Sequence, residues 1–296
     1  MKPKVFTGAA TALITPMNED GSVNFKHLRT LVKSQIASGI DALVICGTTG
    51  EKSTLKYDEH LKVIETAVEA AQNKVPIIAG TGSNDTLYTV ELCNDAERLG
   101  ADAFLMVTPY YNKASQDGLV AHYGYIADRV GKPIILYNVP SRTGVDIEPK
   151  TYEALSKHKN IVATKEASGN LSKVCETAYL CGDDLWIYSG NDDQIVPIMS
   201  LGGLGVISVI SNILPTEIHN LCQNFWVGNV KTAMASQIRY MGLIKALFCD
   251  VNPVPIKTAM NLLGQNAGPC RLPLYPMNEQ NLNFLIQKLC ECNLLT

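Results

Sequence analysis

Lys165 closes an apolar run, Ile161-Val162-Ala163-Thr164-Lys165. A lysine at the end of a buried strand loses hydration, which disfavours its ammonium and lowers its pKa from about 10.4. The neutral amine freed near neutral pH is the form that adds to a ketone to give a Schiff base. The same position also suits a lysine whose long stem carries its charge out to water, so the residue decides nothing alone. Tyr137 ends a second apolar run, Ile134-Ile135-Leu136-Tyr137. A phenol near an amine can pass protons during carbinolamine formation and dehydration, and a core aromatic is the alternative. Arg142 follows Pro140, where restricted flexibility would let a guanidinium grip a carboxylate bidentately; a surface arginine would look the same. Gly47-Thr48-Thr49-Gly50 pairs glycines, which let backbone N–H groups approach a ligand, with two hydroxyls. That set can hold a carboxylate. Tyr110-Tyr111 suits either a site or an oligomer contact.

Such scattered groups converge only if the ends of several strands share one face. Eight short apolar runs read as strands: 8–14, 42–46, 76–79, 103–107, 134–137, 161–165, 185–188 and 205–209. Each interval can hold a helix and two loops. Asn24 caps a stripe of Phe25, Leu28, Leu31, Val32 and Ile36 that ends at Gly39. Asp58-Glu59 favours the start of a second helix, and Asp85 opens a third that stops at Gly100. Alternating strand and helix predicts a parallel sheet, and eight units close a (β/α)8 TIM barrel, whose sites lie at the C-terminal strand ends. The predicted strand-end loops are 47–51, 80–82, 108–112, 137–144, 165–166 and 189–192, with Ile207 in the last strand. They gather the hydroxyls, tyrosines, arginine and lysine on one face.

The barrel is expected over 1–214. The remainder, 215–296, reads as a C-terminal helical extension with helices over 215–227, 230–248, 253–263 and 278–289. With 46% hydrophobic and 18% charged residues, the 296-residue chain has ample core material. A net charge of −3 gives no basic footprint for nucleic acid. No apolar run approaches the roughly 20 residues of a membrane span, and the start shows no signal-peptide core, so a cytoplasmic protein is expected. Nine scattered cysteines argue against a complete disulfide framework, and their spacing suggests no zinc site. Without a P-loop, a GxGxxG fingerprint or a metal-ligand cluster, chemistry without a nucleotide, metal or other cofactor is expected.

Taken together, GTTGE at 47–51, VTPYYN at 107–112, YNVPSRTG at 137–144 and TKEASG at 164–169 resemble the pyruvate-dependent class I aldolases and lyases. That family includes the dihydrodipicolinate synthases and the N-acetylneuraminate lyases. The motifs stand in the family's order and spacing over essentially the whole chain. Thr48 and Arg142 favour the synthase branch, since sialic acid lyases usually carry serine at the first position and lack the arginine.

The resemblance implies condensation of pyruvate with L-aspartate 4-semialdehyde, toward diaminopimelate and lysine. It assigns the Schiff base to Lys165 and a proton relay to Tyr137, Thr48 and Tyr111, with Tyr111 supplied by the neighbouring subunit of a homotetramer. The pyruvate carboxylate would rest on Thr48 and Thr49, chiefly the latter's backbone N–H, and the aldehyde's carboxylate on Arg142, with further substrate contacts at the Ile207 backbone and Gly190. Free lysine binds some members at positions matching Lys52, Tyr57, His60, Asn84, Tyr88 and Tyr110. His60, Asn84 and Tyr110 fit that pattern, whereas Tyr88 stands where sensitive members have a glutamate and Tyr57 also departs. Weak or absent lysine inhibition is therefore expected. Two rivals are a same-fold aldolase using another aldehyde and a non-catalytic sensor of pyruvate or an amino acid.

Overall fold

A computed structural model describes residues 2–295; Met1 and Thr296 lie outside the described residues. Eight strands form one closed parallel barrel in chain order: β1 (Gly8–Ala12), β2 (Ala42–Ile45), β3 (Ile77–Gly80), β4 (Ala103–Val107), β5 (Ile134–Asn138), β6 (Ile161–Glu166), β7 (Trp186–Ser189) and β8 (Gly205–Ser208). Their continuous apolar runs follow from burial on both faces, lumen on one side and helices on the other. Ala10, Val44, Leu105, Ile135 and Ile207 fill the lumen, while Leu43, Ile45, Phe104 and Leu136 pack outward beneath the helices. At the seam β8 returns beside β1, with Gly8 opposite Gly205. Gly205 has φ +146, and a Cβ there would lie 1.8 Å from the Gly8 carbonyl oxygen, so closure at this point needs glycine.

The outer helices are α1 (Phe25–Ala37), α2 (Tyr57–Ala71), α3 (Thr86–Arg98), α4 (Gln116–Ala127), α5 (Pro140–Thr143), α6 (Pro149–Ser156), α7 (Leu171–Cys181) and α8 (Ile195–Ser200). Asn24 and Asp85 cap their helices as expected, accepting from the backbone N–H of His27 and Tyr88. The interval between β5 and β6 holds two helices rather than one, because Pro140 starts a single turn that Gly144 (φ 69) ends.

Five helices follow β8: α9 (Pro215–Trp226), α10 (Val230–Arg239), α11 (Met241–Leu247), α12 (Val254–Leu262) and α13 (Glu279–Glu291). The single helix expected over 230–248 is broken at Tyr240, whose φ/ψ of −90/0 lies at the edge of the helical region, with Gly242 weakening the next turn. The break lets α10 pack on α9 while α11 packs on α13. Among the described residues no helix is long and apolar enough to cross a membrane.

Candidate active site

The lumen-facing ends of β5 and β6 set the chemistry. Side chains alternate between the two faces of a strand. Ile135 and Ala163 point into the lumen, so Tyr137 and Lys165, two residues on, point there too. Their pairing depends on an irregularity. Ile134 stands opposite Ile161, but Ile135 stands opposite Ala163, so β6 carries one extra residue and Val162 joins the lumen cluster as well. In unbroken register Tyr137 would face Thr164; with the shift it faces Lys165. Bulges commonly re-aim side chains beside active sites, and this one brings amine and phenol onto neighbouring strands.

Lys165 is 5% exposed, and its amine lies 4.4 Å from the centre of the Tyr137 ring. Burial pushes its pKa down to about 8; Asp192 pulls it up and the Arg142 guanidinium adds to the depression. Tyr137 is buried too, and desolvation raises its pKa, offset by the Arg142 guanidinium and by the neighbouring Thr48 hydroxyl. The phenol is therefore protonated at neutral pH, beside an amine that is partly neutral. Gly190 packs against this pair: a Cβ there would meet the Ala167 Cβ at 2.8 Å and the Lys165 Cγ at 3.1 Å. Its contact is thus with the lysine stem. Ile207 is fully buried in the lumen cluster that contains Tyr137.

A cavity of about 730 Å³ opens at the end of β5, its lining including Thr48, Tyr137 and Arg142 together with Lys52, Tyr88 and Tyr110. Its wall contains three cations, Lys52, Lys113 and Arg142, and no carboxylate. Such a field gathers anions. Arg142 is exposed, at the last turn of α5. Tyr111 stands at the rim, 84% exposed, with φ +77 in a region unusual for a bulky residue. It lines the same cavity as Tyr137 and Thr48.

Of the suggested lysine-binding residues, Lys52, Tyr88 and Tyr110 line this cavity. His60 is buried with its pKa pushed down to about 3 by desolvation and by Lys52, and its Nε2 has no partner among the described residues. Asn84 donates to the Tyr110 carbonyl at 3.3 Å. Lys52 donates to the Gly82 carbonyl, and burial pushes its pKa down to about 8. The Tyr57 and Tyr88 rings meet edge to face at 5.8 Å, and the Tyr57 hydroxyl donates to Asp95 at 2.6 Å.

Three groups escaped the sequence reading. Asp192, 2% exposed, faces Lys165 as the attractive charge while its Oδ2 accepts from the Val209 and Ile210 N–H groups at 3.0 and 2.9 Å. Burial raises its pKa, countered by those bonds, by Ser208 and by Lys165. Asn252, between α11 and α12, donates to the Thr49 hydroxyl at 2.9 Å. Lys257 on α12, 1% exposed, donates to Glu51 of the same loop at 2.8 Å and to the Thr15 and Pro269 carbonyls. The signals were a carboxylate at a strand end opposite a lysine, and a lone lysine inside the apolar stretch 254–260.

A family model described as the dihydrodipicolinate synthetase family matches residues 5–291. A 4-hydroxy-tetrahydrodipicolinate synthase of Clostridium perfringens is 52% identical over 96% of this chain and 98% of its own. That of Acetivibrio thermocellus is 50% identical over the full length of both. The crystal structure of a dihydrodipicolinate synthase from Thermotoga maritima superposes with a TM-score of 0.96 at 39% identity, covering 99% of this chain and 100% of that one. With essentially every residue of the barrel and its C-terminal helices aligned, the chain belongs to the dihydrodipicolinate synthetase family.

Proposed function

We propose that this chain condenses pyruvate with L-aspartate 4-semialdehyde through a Schiff base on Lys165, forming 4-hydroxy-tetrahydrodipicolinate on the route to diaminopimelate and lysine. The observation that carries the reading is the buried Lys165 amine, its pKa near 8, paired across the bulged β5–β6 register with a protonated Tyr137. The neutral amine adds to C2 of pyruvate, and the carbinolamine loses its oxygen as water. Tyr137, beside Thr48, is the group suited to protonate that leaving oxygen. The resulting iminium withdraws electrons, so a proton leaves the methyl carbon and an enamine forms. The enamine carbon attacks the aldehyde carbon and the oxygen takes up a proton. The amine of the second substrate then displaces Lys165 at C2, closing the ring and freeing the lysine.

Both substrates carry carboxylates, and the acid-free cationic cavity suits them. Thr48 and Thr49 hold the pyruvate carboxylate and Arg142 that of the aldehyde. Tyr111 completes the relay from a neighbouring subunit of a homotetramer. Its 84% exposure at the cavity rim, next to Tyr110, is what a contact with a second copy would cover. Lysine inhibits weakly or not at all, because Tyr88, which lines the cleft and packs on Tyr57, offers no carboxylate to the ligand's amines. The enzyme works in the cytoplasm.

Borohydride reduction in the presence of pyruvate, followed by peptide mass spectrometry, tests the first step. An adduct on Lys165 with loss of activity is expected, and its absence would refute the mechanism. Turnover with aspartate semialdehyde, coupled to reduction of the product, then separates this reading from other pyruvate aldolases.

A further inference from the structure

The loop Gly47–Glu51 is held from outside the barrel. Asn252 comes from the connection between α11 and α12, is 5% exposed, and donates from Nδ2 to the Thr49 hydroxyl oxygen at 2.9 Å across 203 residues of sequence. Thr49 is itself 2% exposed. Five residues along, Lys257 pairs with the buried Glu51 carboxylate, whose other oxygen accepts from the Arg271 backbone N–H at 2.9 Å. Both ends of the Thr49-Gly50-Glu51 segment are therefore tied to the C-terminal helices by side chains sealed from water. In such surroundings a hydrogen bond is not exchanged for one to solvent.

The polarity of the Asn252 bond matters. A hydroxyl has one proton and two acceptor lone pairs. Because Thr49 Oγ accepts from Asn252, its own proton remains to be donated, and its orientation is restricted. The Oδ1 of Asn252 is buried without a partner, so the amide is committed to this one contact among the described residues. Leaving a buried acceptor unmet is costly, and such sites persist where another constraint fixes the side chain.

We propose that Asn252 is a positioning residue for substrate: acting through the Thr49 hydroxyl, it orients the anchor that binds the carboxylate of the 2-oxo acid. The C-terminal helices thereby set affinity for the first substrate. This rests on the assignment of Thr49 to the pyruvate carboxylate.

The test is a double-mutant cycle of Asn252→Leu and Thr49→Val, read by steady-state kinetics and by the pyruvate concentration giving half-maximal trapping with cyanoborohydride. Asn252→Leu is expected to raise both KM for pyruvate and the half-trapping concentration about tenfold. It should leave KM for the aldehyde and kcat within about threefold. Thr49→Val should do the same, and the double variant should be no worse than either single one. A multiplicative double variant, or unchanged pyruvate KM in Asn252→Leu, would overturn the proposal. A purely structural role would instead lower the melting temperature and affect both substrates alike, which also overturns it. Should Asn252→Leu not fold, Asn252→Ser takes its place in the cycle, with the same outcomes. Failure of wild-type protein to trap pyruvate at all would refute the proposed function; wild-type trapping with a failed cycle refutes only this inference.

Discussion

Lys165 should form its imine with an apparent pKa near 8. Burial lowers the amine from 10.5 to about 8. At pH 7 that leaves about one molecule in ten with a neutral amine, against about one in 3,000 for an unperturbed lysine, a gain of roughly 300-fold in the reactive form. The shift corresponds to about 3 kcal/mol of disfavoured charge. The sign follows from desolvation: burial penalises the ammonium, so the reactive form rises with pH and levels off above the lowered pKa. The assay is the initial rate of cyanoborohydride trapping at subsaturating pyruvate between about pH 6 and 10, where the pyruvate carboxylate stays ionised.

Two substitutions make the reasoning refutable by direction rather than by midpoint alone. Asp192 is the attractive charge on Lys165 and Arg142 the repulsive one. Asp192→Asn should therefore move the midpoint down and Arg142→Leu should move it up. A wild-type midpoint near that of free lysine would refute the desolvation argument. Equal midpoints in all three proteins would refute the assignment of the two neighbouring charges.

Four further outcomes follow from the same geometry. Arg142→Leu should raise KM for the aldehyde by about 10- to 100-fold, the worth of charge-assisted hydrogen bonds, while pyruvate trapping persists; loss of trapping would move Arg142 to the first substrate. Tyr111→Phe should lower kcat tenfold or more, on the scale of general acid–base catalysis (~10²), with the sedimentation coefficient unchanged, and an unaltered kcat would remove Tyr111 from the relay. Lys257→Met should destabilise the fold by about 3–5 kcal/mol in chemical denaturation, because Glu51 is left buried and unpaired, and adding Glu51→Gln should recover part of the loss. Titration with L-lysine should leave turnover nearly unchanged, whereas strong inhibition at sub-millimolar concentration would contradict the reading of Tyr57 and Tyr88.

The strand ends were legible because their determinants are contiguous in the chain. Runs such as 103–107 and 161–165 carry the apolar pattern of strands buried on both faces, and the polar groups that end them point to one rim. Helix caps at Asn24 and Asp85 were legible for the same local reason. The register shift between β5 and β6 was not, since period-two alternation alone does not reveal an extra residue. Asn252 and Lys257 were invisible for a different reason. Their partners, Thr49 and Glu51, are 203 and 206 residues away, and no local spacing encodes a contact of that length. Asp192 stood in a loop already singled out, yet its role emerges only once β6 and β7 lie side by side.

The catalytic pair is also held from behind. Where Tyr137 and Lys165 face the lumen, their neighbours Asn138 and Glu166 face the helices, paired in the same register. Asn138 donates to both Glu166 carboxylate oxygens at 3.2 Å, and the Ser168 N–H and Tyr152 hydroxyl donate to them at 2.7 and 3.0 Å. Three donors, making four contacts, converge on one carboxylate that is 6% exposed. A slip of one residue between β5 and β6 would expel Lys165 from Tyr137's side and would also take Glu166 away from Asn138 and Tyr152. The two faces of the barrel wall thus oppose the same error: the outer network makes costly the register in which the inner pair could not react.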